Sequence, residues 1–281
     1  MLAEINEIAK RSLPQPLWTM FRLARVWSSL HFYPERKVTH VYGGFPLSIW
    51  LTDPIAQGWY DHDWSELPEI ALLKTGCLKQ GARVFDLGAH QCVVAMMLSR
   101  IVGTEGQVVA LEANPHNAEI GERNRALNDI AQLKVLHGAA AKDSGTIRFG
   151  KGLNGAVAGG ERDWGQQRVR AYSVDELARE FGAPDVLFMD VEGFECEVLK
   201  GARETLRERP DVFIEVHSGC GLERFGGSRE EILNTFSGDH YMLFAADTDS
   251  SRFLPVTDAN MLPATRFFLV GLSESKGCSN K

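Results

Sequence analysis

No two cysteines form a C-x-x-C unit. The five present, Cys77, Cys92, Cys196, Cys220 and Cys278, are odd in number and scattered through 281 residues. That excludes the disulfide framework of a small secreted domain and the usual paired-cysteine metal site, and it points to a reduced, cytoplasmic compartment. None of the cysteines has a partnered base nearby in sequence, so none is read as a nucleophile. No apolar run approaches the roughly 18 residues of a membrane span. The opening Met-Leu-Ala-Glu-Ile-Asn-Glu carries acids and lacks the apolar centre of a signal peptide. Positive charge is not in excess: the formal net charge is -7, which gives no electrostatic footprint for nucleic acid. Internal repeats and low-complexity tracts are also missing. The remaining composition, 44% hydrophobic and 24% charged, is that of a globular protein, and the length suits one large α/β domain with an N-terminal appendage.

Apolar runs and helical periods alternate along most of the chain. Strands are expected at 83–87, 107–111, 133–138, 185–189, 211–216, 240–245 and 266–272. Helices are expected near 91–102, 115–128, 173–181, 194–208 and 228–237. Such alternation predicts a parallel sheet covered on both faces. The last two strands are joined by 246–265, an irregular link with Pro255 and Pro263, which suggests an edge hairpin and an antiparallel final strand. Residues 145–172 are a turn-rich digression, read as two short strands and a flexible loop near the site. Three parts are expected: a helical and hairpin extension over 1–65, the main domain over 66–273, and a disordered tail over 274–281. In the extension, 38–42 and 46–51 flank Gly43-Gly44 as a hairpin, and a helix over 66–79 leads into the first core strand. Leu17, Met20, Phe21, Ala24 and Trp27 share a helical face before it. That face is read as packing on the main domain or on a partner subunit. The alternative is a helix lying on a membrane surface.

The chemistry starts at Val84-Phe85-Asp86-Leu87-Gly88-Ala89-His90, an apolar strand breaking into a glycine turn before a helix. The next strand, Val108-Val109-Ala110-Leu111, ends on Glu112. A carboxylate there can accept from both hydroxyls of a ribose, and the turn lets backbone approach a ligand closely. Only Gly88 of the G-x-G-x-x-G pyrophosphate fingerprint is present, so a nucleoside without a pyrophosphate fits, with S-adenosylmethionine as the candidate. Asp86 is read as meeting its ammonium group, or else as a turn cap. Ala89, His90 and Ala113 belong to the same two turns. Asn114-Pro115 opens the next helix, with Asn114 as its cap. Ala140 and Ala141 leave room for an adenine ring. Asp143 either bonds the adenine amino group or is an ordinary turn residue.

Further on stand Phe188-Met189-Asp190-Val191-Glu192-Gly193-Phe194-Glu195 and Glu197-Val198-Leu199-Lys200-Gly201-Ala202. With Asp86-Leu87-Gly88-Ala89, Glu112-Ala113-Asn114-Pro115, Ser173-Val174-Asp175-Glu176-Leu177 and Phe213-Ile214-Glu215-Val216-His217, this block resembles the FkbM family of S-adenosylmethionine-dependent methyltransferases. The resemblance spans about 69–217. It implies a class I methyltransferase (Rossmann-like) fold, with a seven-stranded, mostly parallel sheet. It also implies methylation of a hydroxyl on a small molecule, a sugar or a lipid-linked glycan. His90 and Cys92 depart from the family, which usually has Asn and Gly there. A bulkier turn alters how the methionine end of the cofactor is held.

Asp190 and Glu192 lie just past the fourth strand, and Glu215 and His217 at the end of the fifth. Residues i and i+2 of an extended segment share a face, so the pairs should converge on one cleft. Asp190 is expected to touch both cofactor and acceptor. His217 is a candidate proton acceptor, or a hydrogen-bonded surface histidine. Glu192 and Glu195 can equally pair with a helix N-terminus. Asp190, Glu215 and His217 can share a divalent cation, although the spacing does not demand one. Trp59, Tyr60 and Trp64 are read as packing, with the site entrance as the alternative. A homo-oligomer through the N-terminal helix stays open. The rivals are a non-catalytic cofactor-binding or scaffold protein and a nicotinamide oxidoreductase, the latter short of two glycines.

Overall fold

The computed structural model describes residues 14–150, 157, 166–236 and 240–274. The expectations for 1–13, for most of the loop over 151–165 and for the tail past 274 lie outside them. The chain opens with helix α1 (Gln15–His31) and the hairpin β1 (Arg36–Tyr42) and β2 (Phe45–Leu51). Two short helices follow, α2 (Pro54–Tyr60) and α3 (Pro68–Leu73). The alternating part then runs β3 (Arg83–Leu87), α4 (Val93–Val102), β4 (Gln107–Glu112), α5 (Pro115–Leu127) and β5 (Leu133–His137). A three-stranded side sheet comprises β6 (Ala139–Ala140), β7 (Gly145–Gly150) and β8 (Gln166–Tyr172). After it come α6 (Val174–Phe181), β9 (Val186–Met189), α7 (Glu195–Lys200), α8 (Arg203–Arg207) and β10 (Asp211–Val216). The chain closes with α9 (Arg229–Thr235), β11 (Tyr241–Asp247), β12 (Leu254–Val256) and β13 (Phe267–Ser273).

The main sheet has the order β12-β11-β13-β10-β9-β3-β4-β5. Strands β3, β4, β5, β9 and β10 pair in parallel, and β13 inserts antiparallel between β10 and β11. This is the class I methyltransferase architecture that the sequence implied. One strand was not foreseen. Leu254–Val256, inside the supposed irregular link, pairs with β11 and makes eight. Its central Pro255 has no N–H to donate, and only an outermost strand tolerates that.

Each strand alternates between two cores. Val84, Val108, Ala110, Phe188 and Phe213 face α4 and the hairpin. Phe85, Val109, Leu187, Met189 and Ile214 face α6 to α9. The hairpin's Leu47, Ile49 and Leu51 are fully buried in the first core. Its backbone is held by α5: Asn124 Oδ1 accepts from Trp50 N at 2.8 Å, and Asn128 Oδ1 accepts from Ser48 N at 2.9 Å.

Three elements differ from the expectation. The helix before β3 is short, because Pro68 suits only a first turn and the chain leaves the helix at Lys74. The helix over 194–208 is two, broken at Gly201-Ala202, where a Cβ on Gly201 would strike the backbone of Ala141 and Lys142. Finally, Leu17, Met20 and Trp27 on α1 are about half exposed, at 50%, 58% and 53%. About half of each of these side chains is left uncovered by the described residues, while Phe21 on the same face is partly buried, which leaves the partner subunit of the expectation in play.

The turn between β3 and α4 is unusual. His90 and Cys92 both take left-handed φ, +48° and +63°. Bulky side chains seldom adopt that region, whereas glycine and asparagine do so readily. Cys92 is accommodated because α5 presents a residue without a Cβ. A methyl group on Gly121 would sit 2.5 Å from Cys92 Sγ, and 3.6 Å from the next backbone atom. Gly121→Ala should therefore destabilise the protein by about 1–3 kcal/mol, the usual cost of overpacking. The same change in a Cys92→Gly background should cost clearly less, and urea denaturation of the four proteins in the cycle measures the coupling.

Candidate functional site

Period-two alternation gathers the acidic residues on one face of the sheet. Asp86 follows Val84, Glu112 follows Ala110, Asp190 follows Phe188, and Glu215 and His217 follow Phe213. All continue the register of the first core, at the carboxyl ends of parallel strands. Open α/β sheets bind ligands at such ends. A cleft of about 590 Å³ lies there, lined among others by Gly88, His90, Glu112, Ala113, Ala140, Asp190 and Glu192.

One end of the cleft is the β3 turn. Gly88 has φ +94°, and a Cβ on it would overlap the carbonyl oxygen of Asp190. The two motifs thus touch through backbone: Asp190 N donates to Leu87 O at 2.9 Å, and Gly88 N to Leu111 O at 2.8 Å. Glu112 ties the turns together. Its Oε2 accepts from His90 N at 2.8 Å and its Oε1 from Asn114 N at 2.6 Å. Each oxygen keeps lone pairs for a second donor. Burial raises this carboxyl to about 7, against the pull of those two N–H groups. Asp86 is buried too, its Oδ2 has no hydrogen-bond partner among the described residues, and desolvation raises it to about 7. His90 Nδ1 meets Tyr60 Oη at 2.8 Å, and the Trp59 ring lies 5.0 Å from the imidazole. Desolvation lowers His90 to about 4, so the imidazole is neutral. Its buried Nε2 has no partner among the described residues.

The other end is a carboxylate cluster around His217, which is 3% exposed. Its Nδ1 bonds Glu195 Oε1 at 2.7 Å, and the same oxygen accepts from Gly193 N at 2.9 Å. Its Nε2 lies 3.4 Å from Glu192 Oε2, 3.7 Å from Asp190 Oδ1 and 3.9 Å from Glu215 Oε1. Desolvation opposes charge on this ring, but Glu195, Asp190 and Glu192 outweigh it and raise it to about 9. Asp190 is pushed well above the carboxylate range by desolvation and by Glu215. Gly193, with φ +96°, lets the turn approach Gly221, whose backbone a Cβ would meet at 2.5 Å.

Of the residues singled out in the sequence, Gly88, His90, Glu112, Ala113, Ala140 and Asp190 line the cleft, and Asp86 lies beneath it. Ala89 is buried in the turn behind them. Asp143 is exposed after β6 and does not line the cleft, which leaves it the ordinary turn residue. The acids around His217 favour its protonated ring in the free protein. Glu215 is taken by Arg266, which reaches it with both Nε and a terminal nitrogen. The group within donor distance of both Asp190 and His217 is Glu192, while Glu215 Oε1 stays 3.9 Å from His217 Nε2. Glu195 opens α7, as expected, but it is buried and also holds the histidine. Trp59 borders the cleft, and Tyr60 supports His90. Nothing in the spacing signalled Arg266, 51 residues from its partner, or the buried Glu69 of α3, raised to about 7 by desolvation and Glu215.

Comparisons with known proteins place the chain in a family. The Methyltransferase FkbM domain profile matches residues 86–241, more than half of the chain. A curated relative, the hexuronic acid methyltransferase AglP of Haloferax volcanii, is 30% identical over 141 residues. The match covers 48% of this chain and 54% of the relative, so the chain spans about half its length. Among solved structures, methyltransferase FkbM from Methylobacillus flagellatus KT aligns with a TM-score of 0.45 at 17% identity, covering 68% of this chain and 43% of that one. A SAM-dependent methyltransferase from Aquifex aeolicus aligns with 0.42 at 17%, covering 79% and 93%. From residue 86 to residue 241, through both turns and the histidine cluster, this chain belongs to the FkbM family of S-adenosylmethionine-dependent methyltransferases.

Proposed function

We propose that the protein transfers a methyl group from S-adenosylmethionine to an oxygen of a sugar-class acceptor. The observation that carries this reading is the single cleft with Glu112 at one end and the Asp190–His217 cluster at the other. The groups present fit the cofactor. Glu112 accepts from the two ribose hydroxyls. The unpartnered Oδ2 of Asp86 suits the ammonium group. Ala139 and Ala140 leave a flat, shallow wall for adenine. When bound, the cofactor supplies a methyl on sulfonium, which is already an activated leaving group, so the protein's work is alignment and proton removal. Asp190 lines the cleft beside His217, and in its ionised form it is the carboxylate that takes the acceptor's proton. The AglP relative, which acts on a hexuronic acid, supports a sugar as acceptor.

The test is methyl-labelled cofactor incubated with the full chain and three acceptor pools: uronic-acid glycosides, neutral glycosides and a cell extract. Label in a base-stable product is expected from a glycoside pool, since an O-methyl ether survives alkali and a methyl ester does not. Cofactor binding without label in any pool would favour the non-catalytic reading instead.

A further inference from the structure

We infer that Asp190, Glu192 and His217 hold a first-row divalent cation at the floor of the cleft. The inference begins with His217 Nε2. The ring is 97% buried, on the complement of its 3% exposure, and this nitrogen makes no hydrogen bond among the described residues. Buried polar atoms are nearly always satisfied, and an orphan facing two carboxylates asks for a shared cation. The spacing fits. The three donor atoms lie within 4.8 Å of one another, with Nε2 at 3.4 Å from Glu192 Oε2 and 3.7 Å from Asp190 Oδ1. Around an ion with bonds of about 2.1 Å, adjacent donors stand roughly 3.0–3.4 Å apart and opposite ones about 4.2 Å.

The surroundings have the form of a metal site's outer layer. A ligating histidine usually passes its other N–H to a carboxylate, which fixes the ring and leaves the ligating nitrogen's lone pair aimed at the metal. Here Glu195 takes Nδ1 at 2.7 Å, and Gly193 N anchors Glu195 in turn. Glu192 has left-handed φ of +53°, the backbone turn that brings its carboxylate onto the histidine. One imidazole with two carboxylates suits Mn²⁺ and its first-row neighbours better than a soft-metal site would. Three protein donors leave the remaining positions toward the cleft, where two oxygens of an acceptor can chelate. That role rests on the proposed methyl transfer, whereas binding of the ion does not.

The experiment therefore omits the cofactor. Mn²⁺ is titrated into the metal-stripped full chain and followed by electron paramagnetic resonance and calorimetry. One ion per chain is expected. Glu192→Gln and His217→Gln should each weaken it at least tenfold, and Glu195→Gln by about 10- to 100-fold. Glu215→Gln, next to the cluster but paired with Arg266, should leave it within about threefold. Because His217→Gln can unsettle the fold, a measurement on the unaltered chain stands beside it: Mn²⁺ should broaden the His217 ring and Gly193 amide NMR signals before any others. Failure of Mn²⁺ to bind at millimolar concentration, or binding that ignores Glu192 and His217, would overturn the inference. Methyl transfer that persists at full rate in chelator would overturn the ion's part in holding the acceptor while sparing the functional reading. A bound ion without methyl transfer would do the reverse.

Discussion

Glu112→Ala should weaken S-adenosylmethionine binding by about 10²- to 10⁴-fold. Two charge-assisted hydrogen bonds to the ribose diol are lost, each worth about 1.5–3 kcal/mol, and each 1.4 kcal/mol is a decade in affinity. The carboxylate also bridges two turns through His90 N and Asn114 N. Removing it orphans both donors, so the turn loosens as well as losing its ligand. Glu112→Gln separates the two effects. The amide oxygen can still accept from one of these N–H groups, while its NH₂ opposes the other and one ribose hydroxyl. Its loss should fall between the unaltered protein and the alanine variant. Calorimetric titration reads the affinity, and thermal unfolding of the free proteins reads the loosening. Unaltered affinity in Glu112→Ala would put the nucleoside elsewhere in the cleft or outside it.

That prediction rests on a part of the site that was legible in the sequence. An apolar strand that ends on an acid, beside a glycine turn, can be recognised without coordinates, because the strand's own alternation decides which face the acid takes. The same rule brought Asp86, Asp190, Glu215 and His217 together from three strands. It failed one step later. The rule holds for extended backbone, and Glu192 lies in a turn at φ +53° that no periodicity reports. Choosing Glu215 as the third ligand followed the rule correctly, but a cross-strand arginine had already claimed it. The seven expected strands were legible because each is dominated by apolar residues between turn signals. The eighth was not, because Leu254 and Pro255 are exposed and three residues carry no period. The open face of α1 shows a related limit: helical spacing says which residues share a stripe, and nothing about what covers it.

The second large effect is a pH dependence that cofactor should erase. Asp86 sits at about 7 because it is buried, against 3.8 when solvated. A carboxyl whose folded pKa is raised contributes stability that is full below its unfolded pKa and is lost as pH rises through the folded one. The free protein should therefore lose stability between about pH 4 and pH 7 on this account, by at most about 4 kcal/mol, at 1.36 kcal/mol per pKa unit. Glu112 adds a loss of the same sign, and His90, lowered to about 4, opposes it in the acid part of the range. Comparison with Asp86→Asn cancels both. The amide cannot ionise, so the variant should come nearest to the unaltered protein near pH 4 and exceed it near pH 8, as read by urea denaturation. Bound cofactor should remove the gap from the other side. An ammonium group against Oδ2 makes the charged carboxylate the favoured form, so affinity should rise more steeply from pH 5 to pH 8 in the unaltered protein than in Asp86→Asn, where Glu112 still titrates. Equal pH profiles for the two free proteins would show that Asp86 already has a counter-charge or water, and its part in holding the cofactor would fall with that.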